Sequence, residues 1–411
     1  MLNVRATNRA AALFALAGVA CTPDPIIEEN YLPYEGEAYP DRVEPIAYPD
    51  GEVALVTDSY SDTVSVIDLA TGERIAVRPV GRNPVDLDGP HHITMSSNDP
   101  EFAYIGLSYP LVGATGPHAA HGSSQQIGYV QKLRTSDLSI VGQVRVDRNP
   151  GDILISADGS RLVTSHFDLL RATQNPDDIQ AARSTVALVD PTTLAPTGSP
   201  IPRLITVCVA PHGLAMTAPS GDRLYVACYG EDKIARVDLS ATDTPVELFD
   251  VGPGVSGFGS PIYGPYVATL SPDDRWVVVS DTVSKDLRFF DTETDTFDDS
   301  KTVVMLGAPY FPVFSPDGSK LAVVTQQPDS LVVVDLDGVE PNQVRTFTGD
   351  ECELPHIVTL QAAGGYAVVC EGDKKTAGQV IQLDDSLDIV KTTPVGVYPD
   401  AILLREGQVL R

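Results

Sequence analysis

The chain has 411 residues, of which 43% are apolar and 7% aromatic, with 33 glycines and 33 prolines. Its 28 basic and 56 acidic residues leave a net charge of −28, which argues against binding to nucleic-acid phosphates and fits a self-repelling soluble surface. Ample apolar content with abundant turn formers suits a turn-rich all-β protein.

At the N-terminus, Arg5 and Arg9 precede an apolar stretch from Ala10 to Ala20, too short to span a bilayer as a helix. Cys21 follows Gly18, Val19 and Ala20. Residues 1–21 resemble a bacterial lipoprotein signal. That resemblance implies lipidation at Cys21 and, with Thr22 rather than Asp next in line, an outer-membrane destination. The small residues Gly18 and Ala20 equally permit plain cleavage after Ala20. Residues 22–41 carry Pro, Glu and Tyr without a period and read as a flexible tether.

From residue 42 onward the chain repeats. The clearest unit runs from 309 to 336: a short strand after Pro309, a turn at Ser315, Pro316, Asp317 and Gly318, a valine-rich strand to Thr325, a polar loop, and a strand from Ser330 ending in Asp335 and Leu336. The same order recurs at 58–72 and 221–239. These residues resemble the YVTN family of β-propeller repeats, a relative of the WD40 and lactonase-type propellers. The resemblance implies an all-β fold, a β-propeller of four-stranded antiparallel blades over 42–411. Seven prolines, Pro90, Pro150, Pro211, Pro265, Pro309, Pro355 and Pro399, each precede a short apolar run and recur every 44 to 61 residues, near the length of one blade. Seven blades are therefore predicted. Two segments, 43–48 and 401–405, compete for the first blade, and the family's usual ring closure by the C-terminal strand selects the second.

The residues after these prolines are His91 and His92, Gly151 and Asp152, His212, Tyr266, Tyr310, His356 and Asp400. In a propeller the first strand of each blade lines the central channel, and the loops into it share a face with the loops between second and third strands. His118 and His121 lie in a long insertion at 109–126, and His166 opens another at 166–184. All seven histidines thus map to one face at the channel mouth. Imidazoles converging there suit copper or another divalent ion. His91, His92, His212 and His356, with oxygen from Asp152 and Asp400, are the candidate metal ligands. Tyr266, Tyr310, His118, His121 and His166 are placed as mouth-lining residues. The competing reading has these side chains merely capping loop backbone.

Four cysteines form two similar sets on the same face. Cys208 and Cys352 each stand four residues before a channel histidine, and Cys228 and Cys370 each end a later apolar run. Each set faces across the open end of a hairpin, so export predicts the disulfides Cys208–Cys228 and Cys352–Cys370; Cys-His metal sites are the alternative.

The segment Pro90-His91-His92 is loosely similar to the paired-histidine segments of nitrous oxide reductase, a likeness of a few residues that carries no expectation of its activity. Lactonase-type propellers hydrolyse with rim carboxylates, Arg and His, and Asp152, Arg82 and His212 are candidates for such roles. No nucleophile elbow, phosphate-binding glycine loop or haem-attachment motif occurs. The leading expectation is a monomeric cell-envelope scaffold that binds a small ligand or an envelope protein on its histidine-rich face. The alternative is a metal-dependent enzyme, a hydrolase or copper oxidoreductase, using that face.

Overall fold

Runs such as Leu321–Val324 and Leu331–Val334 are apolar, rich in β-branched valine and flanked by turns, so they extend and need apolar neighbours on both sides. They pair antiparallel into seven sheets arranged as a seven-bladed β-propeller. The computed structural model describes residues 43–410, apart from 83, 115–118, 195–201, 255–256 and 407–408. The segment expected to be a signal, with Cys21, the expected tether and His118 lie outside the described residues.

Blade 6 illustrates the unit, with strands Ala308–Phe314, Lys320–Gln326, Ser330–Asp335 and Glu340–Thr346 in order from the axis outward. Blade 1 takes its innermost strand from the other end of the chain. Pro399–Glu406 pairs antiparallel with Glu52–Asp58, from Glu52 opposite Glu406 to Asp58 opposite Pro399. This closes the ring as expected and leaves no sheet edge open between first and last blades. The rival segment at 43–48 forms no strand. It packs instead against blade 2, where Ile46 N–H donates to the Ser136 carbonyl and Tyr48 Oη to that of Thr135.

The core lies between blades. Val163 and Val186 of blade 3 meet Leu214, Leu224, Val226 and Ala235 of blade 4 in one buried cluster. Burying each such side chain contributes about 1.5–3 kcal/mol, so the inter-blade seams carry much of the fold.

Each of the seven prolines opens or nearly opens an innermost strand, and each is followed by a β-bulge. Pro90 faces Leu107 and Ile93 faces Ile105, so the inner strand holds one residue more than its partner. The same irregularity follows Pro150, Pro211, Pro265, Pro309, Pro355 and Pro399. A bulge re-aims side chains locally, here at the end of every channel strand. Before six of these prolines the backbone is left-handed, with φ from 51° at Ala210 to 68° at Gly264. Three of those six residues, Ala210, Leu354 and Tyr398, are neither glycine nor asparagine, and neighbouring groups hold the loops in place. Asp62 accepts from the N–H groups of Asp88 and Gly89, Asp232 from those of Ile262, Tyr263 and Gly264, and Asp329 from that of Leu354.

Candidate metal centre

The bulges bring His91 and His92 from blade 2, His212 from blade 4, His356 from blade 7 and Asp400 from blade 1 together at one end of the channel. His121 joins them from the short helix Ala119–Gly122 in the blade 2 insertion. His91, His121, His212, His356 and Asp400 are fully buried, and His92 is 3% exposed.

Asp400 is the hub. Its Oδ2 lies 3.3 Å from His91 Nε2 and 3.0 Å from His121 Nε2, and its Oδ1 lies 3.0 Å from His356 Nδ1. His121 stacks on His91, and the rings of His92 and His212 are 5.6 Å apart. Donor atoms of three overlapping triplets, His91/His92/His212, His91/His121/Asp400 and His92/His356/Asp400, lie within 4.8 Å of one another. Donors about 2 Å from one ion stand at most about 4 Å apart, so the 3.0 and 3.3 Å separations at Asp400 suit a shared ion and any wider pair would have to draw in.

Surrounding groups fix the rings. His91 Nδ1 is 3.0 Å from the Pro150 carbonyl, His92 Nδ1 is 2.8 Å from Asp152 Oδ1, and His121 Nδ1 is 2.7 Å from Ser108 Oγ. For His91 and His92 these contacts leave Nε2 directed inward, where it could ligate an ion, an arrangement also found in metal-binding histidines. The Nε2 atoms of His91 and His121 face Asp400, and that of His92 makes no hydrogen bond among the described residues. Burial drives the pKa values of His91 and His212 well below the ordinary imidazole range, favouring neutral rings. Burial also opposes charge on His356, but Asp400 and Glu371 outweigh it and raise its pKa. Asp400 stays ionised: burial pushes its carboxyl up, and His91, His121 and His356 pull it well below its usual value.

The side chains expected at an open mouth are buried. The insertion helices Leu169–Gln174 and Ile179–Ala182 fold over this end of the channel with Phe167. Tyr266 is stacked on His212 at 3.9 Å and shares a 2.8 Å Oη–Nε2 contact with it; Tyr310 sits 5.7 Å from His356. His166 is turned away from the cluster. Its Nδ1 is 2.9 Å from the Thr185 carbonyl, and its Nε2 accepts from Asp147 N–H. Asp152 stands behind His92, with its Oδ2 accepting from Leu214 N–H, rather than among the inward donors. Arg82 lies over Tyr129 in a separate pocket with Arg145, so it does not assemble with Asp152 and His212.

Three residues were missed from sequence. Glu371 approaches His356 Nδ1 at 3.6 Å and pairs with Lys374; Tyr398 lies 5.1 Å from His121; Phe311 lies among three of the imidazoles. Only Phe311 had a signal, as the second residue after its proline, the place held by His92 and Asp152. Both disulfides form as expected, with Cα separations of 5.8 Å for Cys208–Cys228 and 5.3 Å for Cys352–Cys370.

No family model matches the chain, and no curated protein does. Solved structures do. A putative 6-phosphogluconolactonase from Bacteroides uniformis superposes with a TM-score of 0.59 at 14% identity, covering 86% of this chain and 99% of that one. The periplasmic gluconolactonase of Pseudomonas aeruginosa gives 0.58 at 18% identity, again covering 86% and 99%. The dihydro-heme d1 dehydrogenase NirN gives 0.56 at 13% identity, covering 92% of this chain and 81% of that one. The likeness is one of fold: this chain is a β-propeller similar to those of gluconolactonase-like proteins.

Proposed function

We propose that this is an exported metal-binding propeller that encloses a transition-metal ion of the zinc or copper class. His91, His121 and Asp400 would hold the ion, with His92, His212 and His356 within reach. The observation that carries this reading is the set of overlapping buried donor triplets that converge on Asp400. Imidazole-rich donors suit zinc and copper better than calcium or magnesium, which prefer all-oxygen sites. A cluster closed over by Phe167, Tyr266 and Tyr398 also favours an enclosed ion over a partner docking on an open histidine face. Two disulfides support export, since such bonds persist in oxidising compartments. Lipid anchoring through Cys21 belongs to the same proposal and rests on the N-terminal residues alone.

Metal analysis of natively purified protein tests it. About one ion per chain is expected at such a site, with loss of that ion in the His91→Ala, His121→Ala double variant. Protein that carries no such ion and takes up neither Zn2+ nor Cu2+ after removal of adventitious metal would refute the reading.

A further inference from the structure

The cluster is closed on one side and approached by a cavity on the other. On the closed side, Phe167, Tyr266, Tyr310 and Tyr398 are each at most 2% exposed. On the other side a channel of about 340 Å³ runs between the innermost strands, and His92, Asp152 and Phe311 are among its lining. Ile93, Leu214, Ala268, Leu270, Ile357 and Ile402 give most of it an apolar wall. Met216 and Leu270, further along their strands, are partly exposed, so exposure rises away from the histidines.

His92 is the donor presented to this cavity. Its Nδ1 is held by Asp152, while its buried Nε2 makes no hydrogen bond among the described residues. Phe311 shields the neighbouring imidazoles. Its ring lies 4.8 Å from His92, 6.0 Å from His212 and 5.2 Å from His356. The channel therefore meets the cluster at the His92–Asp152 edge. Asp152 is the charged side chain in its lining, and an ion would lose hydration against the apolar wall, whereas a small neutral molecule would lose little.

Resting on the metal reading above, we infer that this channel is the access route to the centre, from the face opposite the aromatic cap, and that it admits small uncharged molecules able to ligate or react at the metal. Phe311 sets the size limit at the inner end.

The test uses the full chain loaded with Co2+, whose visible bands report ligation, mixed rapidly with imidazole at a pH where it is neutral and, separately, with azide. Imidazole should bind faster than the anion. Leu214→Trp should slow imidazole binding at least about tenfold with cobalt content unchanged, while Val390→Ala, at an exposed position outside the channel lining, leaves the rate alone. Phe311→Ala should open the centre to bulkier substituted imidazoles. Should Leu214→Trp fold poorly, Met216→Cys labelled with a bulky maleimide after folding blocks the channel in an already folded protein, and the same slowing is expected. Cobalt-loaded protein whose rate ignores the label overturns the inference alone. Unmodified protein that binds no cobalt overturns the metal reading and this inference with it.

Discussion

His121 stacks on His91 with 4.1 Å between ring centroids and 14° between planes, and the Nε2 atoms of both point at one oxygen of Asp400. Three parts of the chain meet there: a channel strand, an insertion helix and the strand that closes the ring. The proposed metal binding and the ring closure thereby depend on the same residue.

Asp400→Asn keeps the shape of that hub and removes its charge. The variant should fold with an unchanged circular-dichroism spectrum yet bind Zn2+ at least about 10- to 100-fold more weakly in chelator competition, since altering groups that merely support a metal's ligands already costs that much. Unchanged affinity would place the ion elsewhere.

His166 makes stability depend on pH. Burial lowers its pKa to about 4 from 6.5, so between those values the unfolded chain binds more protons than the folded one. Its contribution is complete above pH 6.5 and is lost as pH falls through 4. By linkage the loss is about 3 kcal/mol. Urea midpoints should fall across this window, and the fall should flatten in His166→Gln, which has no proton to gain.

The loop closed by Cys352–Cys370 spans 18 residues. Replacing both cysteines by serine should lower unfolding free energy by about 3 kcal/mol in guanidinium titrations. The two bonds also predict that these four cysteines stay unreactive towards thiol reagents in denatured, non-reduced protein.

Gly213 lies where the channel strands of blades 4 and 5 nearly touch. A Cβ there would sit 2.5 Å from Val267 Cα and 2.7 Å from Ala268 N, both backbone atoms that cannot swing aside. Gly213→Ala should cost about 1–3 kcal/mol and weaken metal binding by shifting His212 and Tyr266. Gly349→Ala, with nothing within 4 Å, is the matched control and should be nearly neutral.

The ring and its decoration were legible because the signal is periodic. Each proline marks a bulge, and the residue after it lands on the axis, so the spacing read with the propeller resemblance placed His91, His212, His356 and Asp400 together. His121 was assigned to the right face but not to the donor set, because the path of an insertion follows from tertiary packing rather than from the repeat. The same packing hides Tyr266 and Tyr310 beneath the insertion helices, where an open mouth was expected. His166 ends a second strand opposite Pro150, and its ring contacts Thr185 and Asp147 instead of the channel centre. Glu371 and Tyr398 carry no pattern that distinguishes them from other loop residues; only their neighbours give them a place.

The most direct measurement is an anomalous difference map from crystals of the metal-loaded protein, collected at the absorption edge of the bound ion. A peak at bonding distance from His91 Nε2, His121 Nε2 and Asp400 is the predicted result. A map without a peak there, or with its only strong peak elsewhere on the molecule, would contradict the account.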